Sequence, residues 1–209
     1  MAAVHGLKVA VIGGRTNSSG TAQDDYDQEE ARLIWAVSRT QGRTPHLITQ
    51  ASNNNAFKVR QNTGSDMNVV VGSGTASADG YVLRGTSAGQ GSYGVMLDDA
   101  SVTVAVPAAD GSLLKAYGVY LFVNDEAYSG SAGLAYASLI CLAGTPHASA
   151  PQVPSASVSY AASALLWSFR LAAAATAVTN TILDDSNAAD ARTTSRALGV
   201  DPYETALYL

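Results

Sequence analysis

Few side chains in this sequence have the types and spacing that chemistry requires. The stretch "IGGRTNSSG" follows an apolar run and precedes an acidic one, the order in which a phosphate-binding turn joins a strand to a helix. Its glycines, Gly13, Gly14 and Gly20, fit neither G-x-x-x-x-G-K-[ST] nor G-x-G-x-x-G, and the carboxylates behind them would repel phosphate. "NDEAYSGSAG" gathers Asn124, Asp125 and Glu126, oxygen donors of the kind calcium takes. It lacks the alternating acidic positions and terminal glutamate of an EF-hand loop, and polar residues at a hairpin tip explain it as well. The pairs Asp98–Asp99 and Asp184–Asp185 read as turn and cap residues.

Hydrolytic chemistry finds no better footing. His5, His46 and His147 each sit at a segment end or in a loop, and "GTPHASAP" holds no G-x-S-x-G elbow. A Ser-His-Asp triad or a pair of glycosidase carboxylates is defined by separation in space, and nothing along the chain singles out their members. Cys141 lies within "LAYASLICLAG" and reads as a small buried hydrophobe. As the only cysteine it can form no intrachain disulfide, which fits folding in a reducing cytosol. No catalytic residue, metal ligand or cofactor is assigned, and the expectation is that the protein is not an enzyme.

The elements that would position any site are mainly strands. The chain has 209 residues, 47% hydrophobic and 14% charged, against roughly 25% charged in a typical soluble domain. Ser, Thr, Ala, Asn and Gly must therefore make up much of the surface, which favours association over a free monomer. Net charge is −5, and between Gln61 and Phe169 the basic residues are Arg84 and Lys115. Nucleic-acid binding needs clustered Lys and Arg, so DNA and RNA are excluded as principal partners. "MAAVHGLKVAVIGG" carries Lys8 inside its apolar run and reads as a strand, not a signal peptide. "ALLWSFRLAAAATAV" is interrupted by Arg170 and falls short of the roughly 20 residues of a membrane span, so no membrane insertion is expected.

In "DDYDQEEARLIWAVSR", Tyr26, Leu33, Ile34 and Val37 fall on one side of a helix whose first turns are acidic, as the helix dipole prefers. The centre then reads as strand after strand: "FKVRQ", "MNVVVG", "GTASADGYVLRG", "SYGVML", "SVTVAVPA", "AYGVYLFVND" and "LAYASLICLAG". Val102, Val104 and Val106 alternate with Ser101, Thr103 and Ala105, and "DD", "ADGS" and "SGSAG" supply turns. Many short strands without helical crossovers predict an antiparallel sandwich or barrel. A proline-marked segment, "GTPHASAPQVPSAS", leads to "YAASALLWSFRL", where Leu165, Trp167 and Phe169 alternate. Beyond it the chain turns alanine- and threonine-rich and ends in "VDPYETALYL", the pattern of an arm that packs against another chain.

The succession "MNVVVGSGTA", "SYGVMLDDASVTVAVPAAD", "NDEAYSGSAG", "GTPHASAP" and "ALLWSFRLAAAATAVTNTILDDS" resembles the minor tail proteins of siphophages that infect actinobacteria. The likeness spans roughly Lys58 to Arg192 and extends, more distantly, to upper baseplate proteins that link a tail hub to receptor-binding modules. "SLLKAYGVY" stands where such proteins often carry N-P-R-I-D. The resemblance implies a virion structural protein assembled in the host cytoplasm, a homotrimer, with other tail and baseplate proteins as partners and host cell-wall glycan as an indirect one.

The fold expected is mainly β: an antiparallel, jelly-roll-like β-sandwich with a short N-terminal helix and an extended, partly helical C-terminal arm. Residues 1–57 would form a strand–helix docking segment, 58–171 the β-sandwich, and 172–209 the oligomerisation or docking arm. Contact residues expected between copies are Leu165, Trp167, Val178, Ile182, Leu183, Tyr203, Leu207, Tyr208 and Leu209, since large apolar and aromatic side chains anchor interfaces. Leu165 and Trp167 suit the subunit's own core better. Two other readings stand beside assembly: a carbohydrate-binding receptor-recognition module, and a wall-degrading enzyme.

Overall fold

Runs of β-branched and aromatic residues become strands throughout the computed structural model, which describes residues 7–11, 46–48, 55–72, 74, 79–84, 92–97, 99–124, 136–156 and 162–192. In chain order the strands are β1 (Leu7–Val11), β2 (His46–Ile48), β3 (Val59–Gln61), β4 (Asn68–Val71), β5 (Asp79–Arg84) and β6 (Ser92–Leu97). They continue with β7 (Val102–Ala105), β8 (Lys115–Asn124), β9 (Tyr136–Ala143), β10 (Ala162–Leu171) and β11 (Ala189–Asp190), with a one-turn helix α1 (Asn180–Leu183) before β11. They form three antiparallel sheets of order β1-β6-β5-β2, β3-β4-β7 and β11-β10-β8-β9. The helix expected over "DDYDQEEARLIWAVSR" lies outside the described residues.

The mainly β, antiparallel character follows from two kinds of strand. β7 alternates as its sequence does, with Val102 and Val104 buried and Thr103 and Ala105 exposed, so one face meets the core and one meets solvent. β8, "KAYGVYLFVN", is apolar nearly throughout and is buried along both faces. Its odd-numbered residues Tyr117, Val119, Leu121 and Val123 join one core cluster that draws side chains from all three sheets. The other face, including Ala116, Tyr120 and Phe122, is buried separately.

Topology explains the second covering. β9 and β10 flank β8 on opposite sides, so the chain leaving β9 must cross β8 to reach β10. Residues 144–156 make that crossing as a strap. The Gly144 amide donates to the Ala116 carbonyl at 2.8 Å and the His147 amide to the Leu114 carbonyl at 2.9 Å. The Tyr120 hydroxyl donates to the Pro154 carbonyl. Two glycines permit the close approach. A Cβ on Gly144 would collide with the Gln152 carbonyl oxygen, and one on Gly118 would lie 2.6 Å from the Tyr120 ring and 3.2 Å from Val153.

The alternation expected at Leu165, Trp167 and Phe169 is broken. Register against β8 slips between Leu165, opposite Tyr120, and Trp167, opposite Val119, which makes Leu166 the extra residue of a β-bulge. The bulge reverses the phase of burial. Ala162, Ala164 and Leu166 face the core before it, and Trp167, Phe169 and Leu171 after it, while Leu165 stays half-buried.

Candidate functional site

The expected contact residues divide sharply in the structure. Trp167 is 6% exposed, Leu183 2% and Val178 fully buried, so all three spend their surface inside their own subunit. Ile182 packs half-buried against the same core. Tyr203, Leu207, Tyr208 and Leu209 lie outside the described residues.

The reason is that residues 172–192 turn back onto the sheets as a second strap. The Ala174 amide donates to the Asp110 carbonyl at 2.7 Å and the Val178 amide to the Asp66 carbonyl at 2.9 Å. Gln61 and Asn180 exchange backbone-to-side-chain bonds of 3.0 and 2.9 Å. Trp167 Nε1 donates to the Leu183 carbonyl at 3.2 Å, and β11 then pairs Asp190 with Trp167 and Ala189 with Ser168. Arg192 ends the strap. Its guanidinium forms a two-pronged pair with Asp190 (2.8 and 2.5 Å), donates to the Ala56 carbonyl at 2.6 Å, and lies 5.6 Å from the centre of the Trp167 ring. The arm expected to begin at Ala172 is thus tied to its own sheet as far as Arg192.

The residues with chemical potential fall apart in space. Asn124 is 3% exposed at the end of β8, and its Nδ2 has no hydrogen-bond partner among the described residues. Asp125, Glu126, His5, Gly13, Gly14 and Gly20 lie outside them, and His46 is placed only as backbone of β2. Burial pushes the Cys141 thiol up to about 12, which leaves it neutral and unreactive at ordinary pH. Among the described residues no group of three His, Cys, Asp or Glu side chains gathers to hold a metal ion, and no helix is long and apolar enough to cross a membrane.

One corner combines a cavity with polar groups. Residues 143–154 fold into a half-open cavity of about 350 Å³, lined by Ala143, Thr145, Pro146 and His147 and, from the returning segment, Ala150, Gln152, Val153 and Pro154. The His147 ring is part of the wall's construction, because its Nδ1 accepts the amides of Ser149 (3.1 Å) and Ala150 (3.0 Å). In the neutral imidazole this leaves Nε2 carrying the hydrogen. The proline spacing of "GTPHASAPQVP" marks this segment in the sequence, but its closure into a pocket depends on the crossing over β8, which the sequence does not show. No protein-family profile, curated protein or solved structure matches the chain.

Proposed function

We propose that the protein is a structural component of a phage tail tip or baseplate that assembles as a homo-oligomer and links the tail hub to host-recognition components. The observation that carries this reading is the outward face of the β3-β4-β7 sheet. Register places Arg60, Val70 and Thr103 in one row across it, with Asn68 beside Ala105 in the next. Thr103 and Ala105 are exposed, Val70 is half-buried, and none of these residues is acidic. Arg60 is folded down so that Nη2 donates to the Gly72 carbonyl at 2.6 Å, and Lys58, whose carbonyl accepts the Gly72 amide at 3.0 Å, stands at the end of the same face.

These rows are mainly neutral, and their cation already holds a partner within the subunit, so covering them strips little water from charge, which is the costly step in burying polar surface. The low charge content of the whole chain acts in the same direction, as does the resemblance of residues 58–192 to tail proteins. In this reading the three sheets wrap their shared core as a jelly-roll-like sandwich, three copies surround an axis, and the particle is where the protein resides. Its task is mechanical, and no cofactor enters.

Immunogold labelling of intact phage particles with antibodies to the chain tests the assignment. Label at the tail tip is expected; label confined to the capsid, or none on particles, would overturn it.

A further inference from the structure

We infer that the cavity formed by residues 143–154 is a binding subsite for a small neutral polyhydroxylated ligand, of the size and chemistry of one sugar ring. This goes beyond the assembly reading and does not depend on it.

Three observations converge on this corner. The cavity is built, because both walls are pinned to the sheet: one through Gly144 to Ala116 and His147 to Leu114, the other through Pro154 to Tyr120. Its volume of about 350 Å³ lies within the range of small-molecule sites. Val153, one of the large hydrophobic side chains that the described residues leave exposed, at 40%, is part of its wall.

The lining chooses the ligand class. Thr145, His147 and Gln152 bring a hydroxyl, an imidazole and an amide to the lining, while Pro146, Val153 and Pro154 bring apolar surface. No Asp, Glu, Lys or Arg lines the cavity. An ion entering it would lose hydration with no counter-charge to replace it. A ring with hydroxyls on its rim and C–H groups on its face satisfies both kinds of wall.

Titration of the isotope-labelled full chain with glucose and N-acetylglucosamine, followed by amide NMR, tests the inference. Glucuronate and glucosamine serve as charged counterparts. Both neutral sugars should shift the amides of Thr145, His147 and Val153, with each charged sugar binding roughly tenfold more weakly. Ala150→Trp should fill the cavity and abolish the shifts. Gln152→Ala, an exposed change that leaves the walls pinned, should weaken them and serves if the tryptophan variant does not fold. Absence of shifts at these residues with either neutral sugar, tighter binding of the charged sugars, or shifts unchanged in Gln152→Ala would each overturn the inference.

Discussion

Arg192 donates from Nη1 to the backbone carbonyl of Ala56 at 2.6 Å, joining positions 136 residues apart in sequence. This bond closes the C-terminal strap against the segment that leads into β3, beside the Trp167 ring. Arg192→Ala should cost about 1–3 kcal/mol, because it removes charge-assisted bonds and uncovers the carbonyl they satisfy. Arg170→Ala, which loses only an exposed 3.2 Å bond to Asn187, should stay within about 0.5 kcal/mol. Urea unfolding of the two variants checks the difference, and amide exchange in residues 183–192 should quicken in the first alone.

The strap across β8 depends on a missing Cβ. Gly144→Ala sets a methyl group against the Gln152 carbonyl oxygen and should destabilise by about 1–3 kcal/mol through overpacking. Each kcal/mol corresponds to roughly 2–4 °C of Tm for a chain of this size. Gly111→Ala, where a Cβ meets nothing within 4 Å, is the control and should leave Tm nearly unchanged. Calorimetry of both separates crowding from a general intolerance of substitution at glycine.

High pH should unfold the protein through groups buried in neutral form. Burial raises Cys141 and Tyr117 to about 12, and raises Tyr120 as well. All three therefore stabilise the fold below their ordinary values of 9.0 and 10.0, and that contribution is lost as pH climbs toward about 12. The urea midpoint should fall over this window, and Cys141→Ala should shallow the slope. A thiol reagent at neutral pH should leave Cys141 unlabelled until denaturant is added.

Low pH acts through carboxylates with the opposite sign. Hydrogen bonds hold Asp66 below its usual range through Asn68 and Asn62, Asp110 through the Ser112 and Leu113 amides, and Asp185 through Asn187. The stability they lend is present above their ordinary value of 3.8 and disappears as pH falls through the lowered one. Asp66→Asn and Asp110→Asn together should flatten the acid limb of a stability–pH curve, since neither replacement titrates.

What the sequence discloses is the part of the fold that is periodic. The valines of β7 alternate in sequence and in burial, and the unbroken apolar run of β8 announces a strand covered on both faces. The bulge at Leu166 carries no glycine or proline to mark it, so alternation from Leu165 assigns the wrong face. The scattered apolar residues after Ala172 resemble an arm reaching outward because their partners are remote. Val178 and Leu183 belong to the core only once the chain has folded back to Asp66 and Trp167. β2 and β11, at three and two residues, are too short for any pattern to develop. The cavity escapes for the same reason as the strap: it arises from a crossing of strands and not from local composition.

If the outward face of the β3-β4-β7 sheet joins copies, a charge placed on it should separate them. Thr103→Glu and Ala105→Lys, both at exposed positions, should lower the particle mass in solution while leaving unfolding within about 0.5 kcal/mol of the parent. Gel filtration paired with urea denaturation reads the two effects independently.

The most direct test of an assembly role is the mass of the full chain in solution by multi-angle light scattering at micromolar concentration. A homo-oligomer, with three times the 21.4 kDa of one chain as the expected value, is the predicted result. A stable species of 21.4 kDa, unchanged as concentration rises, would contradict it.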